Sequence, residues 1–148
     1  MRLARLGAAA WMLGAIVPGA AVAQAPPPPG LDCALGFETL RADASALTGA
    51  ELSHEGGFDV ARLAAPDVWR AQFMFTLPGH PAHPAAVLRT LRKQVTEVWT
   101  SDSKGCGYGD QSQFAILMSD MKSTDTELTN ASRAEVEREK KGRSPLAP

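Results

Sequence analysis

The stretch DVWRAQFMFTLPGHPAHPAAVLRTLRKQVTEVW, residues 67–99, decides the fold, because it carries the clearest strand signal in the chain and its longest apolar stripe. Trp69, Ala71, Phe73, Phe75 and Leu77 alternate with Arg70, Gln72, Met74 and Thr76. A period of two is that of a half-buried strand, since successive side chains point to opposite faces. Pro78-Gly79 suits the centre of a type II turn, where proline sets one φ and glycine accepts the positive one. Beyond it, Pro84 fits a first helical position, and Val87, Leu88, Leu91, Val95, Val98 and Trp99 share one helical face. This spacing predicts a helix over 84–99, with Arg89, Arg92, Lys93 and Glu97 largely on its solvated side.

The connection between the two elements contains His80-Pro-Ala-His83. A proline after each histidine biases both toward extended backbone, where three residues make one turn and rise roughly 9 Å. Two imidazoles so spaced can face one way, and a Zn²⁺ or Cu²⁺ site would then need a third ligand about 2 Å from the metal. His54, beside Glu55, is the only other histidine. Against the metal-binding reading of His80, His83 and His54 stands a plainer one, in which Pro78, Pro81 and Pro84 stiffen a strand-to-helix connection and the histidines sit at its surface. In that case the double exchange of His80 and His83 to alanine would cost no more than the ~0.5 kcal/mol of a surface substitution. A third reading has a small anion held by the helix start, His83 and Arg70. The segment resembles small exported proteobacterial proteins of uncharacterised role in which Pro-Gly-His-Pro-Ala-His-Pro follows an aromatic strand. That resemblance covers about a fifth of the exported chain and implies export and a strand–loop–helix unit, with no reaction attached.

Export has its own signal. MRLARLGAAAWMLGAIVPGAAVAQA carries Arg2 and Arg5, an apolar run from Leu6 to Val17, and Ala21-Val22-Ala23. This is the layout of a secretory signal peptide cleaved after Ala23, with an apolar part too short for the ~20 residues of a membrane span. Residues 1–23 are thus expected to leave 125 of the 148 residues, enough for one modest core. Loss of two arginines changes the balance of 15 basic and 16 acidic residues to 13 and 16, a net −3. Such a mild charge argues against a nucleic-acid partner, which calls for a basic face. Cys33 and Cys106 are the only cysteines, and an oxidising compartment closes such a pair. A disulfide Cys33–Cys106 is expected.

The proline run of 24–30 reads as an extended spacer. In LDCALGFETLRADASAL, Cys33, Phe37, Leu40 and Ala44 lie on one helical face, with Asp32 as N-cap. The glycine-broken stretch after it allows a weak strand at 58–63. KGCGYGD (104–110) reads as a turn rather than a phosphate loop, FAILMSDM (114–121) as a strand, and SRAEVEREKK (132–141) as a short exposed helix opened by a Ser132–Glu135 capping box. No Gly-x-Ser-x-Gly or other hydrolase spacing is present.

These readings combine into an α+β fold, a small antiparallel sheet with two main helices packed on one face and one disulfide. The expected order is signal peptide 1–23, spacer 24–30, a single domain 31–141 and a disordered tail 142–148. The expected role is that of a periplasmic or secreted bacterial domain, non-catalytic and requiring no cofactor. It would contact an envelope protein or a small ligand, bind no nucleic acid, and keep no membrane span after cleavage. A histidine-based metal binder is the alternative.

Overall fold

The computed structural model describes residues 24–143; the expected signal peptide and residues 144–148 of the expected tail lie outside the described residues. A short 3-10 turn, Cys33–Leu35, precedes helix α1 (Phe37–Ala46). Five strands follow, β1 (Glu51–Glu55), β2 (Phe58–Ala65), β3 (Trp69–Thr76), β4 (Ala85–Lys93) and β5 (Trp99–Gly107), and helix α2 (Gln111–Arg143) ends the described chain. The strands form one antiparallel sheet in the order β1-β2-β3-β4-β5. The α+β class, the sheet and the disulfide are as expected, and β3 and β2 lie where the alternation and the weak-strand signal put them.

Three elements differ. Residues 84–99 are not a helix but β4 and the start of β5, joined by a turn in which the Gln94 and Val98 backbones pair at 2.9 Å. The reason is burial on both sides. Ala85 to Arg89 are all buried, because β4 runs between two covered faces, and a strand covered twice shows an apolar run instead of alternation. Residues 104–107 are strand rather than turn, and 111–143 form one long helix in place of a strand and a short terminal helix.

The helices also lie on opposite faces, not on one. Alternation and register place Ala61, Phe73, Phe75, Ala86, Leu88 and Cys106 on the face covered by Phe37, Leu40 and Ala44 of α1. Val60, Met74 and Val87 lie on the other, beneath Leu117 of α2 with Phe114, Met118 and Met121 beside it. Gly105 and Gly107 let α2 sit this close: a Cβ on Gly107 would meet Phe114 Cγ at 2.5 Å, and one on Gly105 would meet Met118 Sδ at 2.5 Å. β5 is an edge strand, and the helix takes two of its outward N–H groups. Trp99 N donates to Ser132 Oγ at 2.9 Å and Ser101 N to Thr129 Oγ1 at 3.0 Å, which blunts the edge against pairing with another chain.

The proline run is not a free spacer. It lies against the α1 face of the sheet, where the Trp69 indole donates to the Pro26 carbonyl at 2.7 Å and Pro28 and Pro29 border a cleft with Leu88 and Thr90. Asp32 caps the 3-10 turn by accepting from Ala34 N at 3.0 Å, and Gly36 at φ +78° separates that turn from α1, so Cys33 precedes the helix rather than sharing it. The Cys33–Cys106 disulfide ties this turn to β5. Beside it the Tyr108 hydroxyl donates to the Cys33 carbonyl at 2.9 Å.

Burial, and after it the Asp32 charge, raise the Tyr108 pKa above its ordinary 10.0. A raised value means that the contribution is complete below the unfolded pKa and is lost as pH climbs through the folded one. Tyr108 is the only tyrosine, so the expected result is a single phenolate absorbance transition above pH 10.0, moving down to the ordinary value in denaturant. An ordinary value in the native protein would contradict the contact.

Candidate functional site

Leu77, Pro78, Gly79 and His80 form the expected turn, with Gly79 at φ +99° and His80 N donating to Leu77 O at 3.0 Å. A second turn returns His83 N to His80 O at 2.9 Å, so the connection is folded rather than extended. Its end is locked by Thr76, whose hydroxyl accepts from Ala85 N at 2.8 Å and donates to Ala85 O at 3.1 Å.

His83 Nδ1 lies 2.9 Å from the Thr76 carbonyl, which can only accept, so Nδ1 carries the proton there. The His83 ring meets Phe37 edge-on at 5.3 Å, on the α1 side. His80 belongs to the other side, its ring 5.0 Å from Phe58 and its Nδ1 accepting from Ala82 N at 3.1 Å. His54 sits far out on β1, paired with Asp59, which also takes Arg41 at 3.2 Å. The three do not converge, and among the described residues no group of three or more histidine, cysteine or acidic side chains is placed to hold a metal ion.

Nor are His80 and His83 idle surface groups. The Nδ1 of each bonds a backbone partner at a half-buried position, so the double exchange His80→Ala, His83→Ala is expected to cost about 2 kcal/mol rather than 0.5, at roughly 1 kcal/mol per lost hydrogen bond. The loss should be the same with and without chelator in a urea melt. A chelator-dependent loss would return the metal reading.

Arg70 does not join His83. It lies at the opposite end of β3, six residues from Thr76, or roughly 20 Å at the rise of a strand, and on the α2 face. What it does join is a groove. Beyond the apolar rows under the first half of α2, the sheet carries a polar row: Glu51 opposes Arg62, Arg62 opposes Gln72, and Gln72 opposes Arg89. One step further along, Ala64 opposes Arg70 and Arg70 opposes Leu91. α2 passes over β4 and β5 but leaves this part of β1–β3 uncovered. Between them lies a groove of about 640 Å³, walled by Thr124 and Leu128 of α2 and floored by these two rows.

The three arginines differ in what holds them. Arg89 is buried, and its Nε donates to Asp125 Oδ1 at 2.7 Å. The same oxygen accepts from Ser101 Oγ at 2.8 Å and Ser103 Oγ at 3.0 Å, while Arg89 Nη2 reaches Met121 Sδ at 3.2 Å and Met121 O at 3.4 Å. Its Nη1 has no partner among the described residues. Arg62 gives Nη1 to Ser53 Oγ at 2.7 Å and Nη2 to Glu55 Oε2 at 2.6 Å. The hydrogen bond between Arg62 and Glu55 lowers the Glu55 pKa, as does a second from Ser53, and it raises the pKa of Arg62. Arg70 has no hydrogen-bond or ion-pair partner among the described residues, and its guanidinium carbon lies 4.7 Å from the centre of the Trp99 ring.

Cation–π contact holds the Arg70 guanidinium in place without using up its N–H groups. The groove therefore offers one positioned cation free of any carboxylate, a second guanidinium with a free edge, an amide at Gln72, and apolar walls. Of these residues the sequence flagged Arg70 alone. The signal for Arg89 was an arginine inside the apolar run AAVLRTL; such a residue is either at a boundary or buried with a partner. Asp125 gave no sign, as it stands in a polar helix half among other acidic residues.

Compared with protein-family models, with curated proteins and with solved structures, the chain matches none.

Proposed function

We propose that this protein is an exported, non-catalytic domain that binds a small ligand in the groove between α2 and the open half of the sheet. The observation that carries the reading is Arg70, a cation in a 640 Å³ groove with no carboxylate in contact among the described residues. Pockets of this size take small molecules, with a few placed polar groups among apolar walls. Arg89, anchored by Asp125, and Arg62, anchored by Glu55, frame the site from rigid strands, so little order has to be imposed when a ligand enters.

Export is supported by the layout of residues 1–23 and by the Cys33–Cys106 disulfide, which an oxidising compartment preserves. Among the described residues no helix is long and apolar enough to cross a membrane.

The test has two parts. Fractionation of cells making the full chain should recover protein that begins at Gln24 in the periplasm or medium. Thermal melts of that protein against a library of small anions and amphiphiles should then find a stabilising compound. At 100 times its Kd a ligand specific for the folded state adds about 2.7 kcal/mol, which a domain of this length registers plainly. A stabilising compound whose effect survives Arg70→Gln would remove the groove as the site.

A further inference from the structure

We infer that the groove takes an amphiphile with a single carboxylate head and an apolar tail, a class represented by a medium-chain fatty acid. The inference rests on the groove being the ligand site. Arg70 and Arg89 lie on the same face of adjacent strands in diagonal register, since Arg89 opposes Gln72, two residues from Arg70. Diagonal neighbours stand roughly 7–8 Å apart at Cα, a spacing across which long side chains converge on one small group. Arg70 brings a whole guanidinium and Arg89 its unpartnered Nη1, so a carboxylate can take one oxygen to each, with the Gln72 amide beside them.

Charge selects a monoanion. Arg62, Arg70 and Arg89 are set against Glu51, Glu55 and Asp125, and two of those carboxylates are already paired with Arg62 and Arg89. Of the three arginines only Arg70 lacks a carboxylate in contact among the described residues, so a single carboxylate completes the pairing, whereas a dianion such as phosphate brings a second charge toward Glu51 at the rim.

The volume and the walls supply the tail. A carboxylate fills a small part of 640 Å³, and the rest is bordered by Leu91, directly opposite Arg70, by Ala64, and by Leu128, a large apolar side chain left 38% exposed on α2. An apolar chain lying along α2 buries these surfaces while its head stays at the arginines. The site is a concave groove within one molecule, so it fits a free amphiphile rather than a bilayer surface.

The experiment is titration calorimetry, with tryptophan fluorescence as a second readout because Trp99 is the ring under Arg70, on the full chain recovered after export. The probes are octanoate, octan-1-ol, octylammonium and acetate. Octanoate should bind saturably and more tightly than the other three. Arg70→Gln should weaken it about tenfold or more, the scale of one charge-assisted hydrogen-bonded contact. Leu128→Asp should weaken it as well, and Arg70→Lys by less than Arg70→Gln. Both sites are exposed enough that melts of the variants should match the wild type.

Octanol or octylammonium binding as well as octanoate, with loss in Leu128→Asp but not in Arg70→Gln, would leave the groove as a ligand site and overturn the carboxylate. Acetate binding as tightly as octanoate would overturn the tail. Binding to phosphatidylglycerol vesicles without binding of free octanoate would overturn the free-amphiphile assignment. Absence of binding by all four probes would overturn the amphiphile class alone if the library melts give an Arg70-dependent ligand of another kind, and the groove reading with it if they do not.

Discussion

Asp125→Ala is expected to lower the free energy of unfolding by about 3–5 kcal/mol, the cost of stripping one partner from a buried ion pair. Among the described residues Asp125 is the sole carboxylate on Arg89, and both are buried. Its Oδ1 also takes the hydroxyls of Ser101 and Ser103, so alanine leaves a guanidinium and two hydroxyls facing a vacancy under the middle of α2. The effect should appear as a shift of the urea midpoint at unchanged slope. Replacing both members, Arg89→Met with Asp125→Leu, should recover much of the loss, because an apolar pair of similar volume needs no compensating charge. A loss below about 1 kcal/mol in Asp125→Ala would show that water reaches the pair and that α2 is held by its apolar half alone.

The same pair explains why half of the fold was hard to read. Over its first turns α2 is amphipathic, with Phe114, Leu117, Met118 and Met121 at helical spacing, but the stripe then becomes Asp125, Thr129 and Ser132. The strand beneath is polar in step, with Ser101 and Ser103 in place of apolar residues. Each half of this seam looks solvated on its own, and the match is visible only when helix and strand lie together. A short apolar run with no stripe beyond it therefore read as a strand. The usable signal was negative: from Gln111 to Lys141 the sequence contains no glycine or proline, which suits one long helix better than a strand, a loop and a second helix.

Glycine misled in the opposite direction. In KGCGYGD the glycines read as turn residues, yet Gly105 and Gly107 lie in β5, where the missing Cβ makes room for Phe114 and Met118. In HEGGFD the two glycines read as breakers, yet they are a two-residue hairpin turn, both at positive φ, joining β1 to β2. By contrast β3 was legible because its polar positions meet open groove at one end; only at the Thr76 end, where both faces are covered, does alternation stop. The candidate site was legible in one residue, Arg70. The other residues of the groove lie on β1, β2, β3, β4 and α2, and the row formed by Glu51, Arg62, Gln72 and Arg89 exists only in the register of the sheet.

The disulfide was readable in full, and removing it carries the second large effect. Reduction, or the exchange Cys33→Ala with Cys106→Ala, is expected to cost about 4 kcal/mol in the chain-entropy treatment, since the bond closes a separation of 73 residues. That is a large part of the ~5–15 kcal/mol available to a domain. The loss should concentrate at the α1 face. There the proline run, the 3-10 turn and α1 rest on the sheet through Trp69, Phe37, Leu40 and Ala44, and the bond to Cys106 fixes the start of that layer to the edge strand. α2 is held independently, by the apolar rows and the Asp125 seam. Hydrogen exchange on the reduced protein should accordingly show α1 opening before β4, β5 and α2. Mass spectrometry of unreduced exported protein should find it two hydrogens lighter than the dithiol. Oxidised and reduced proteins that unfold within about 1 kcal/mol of each other would mean that apolar packing alone fixes α1, and would remove the main physical reason for this chain to need an oxidising compartment.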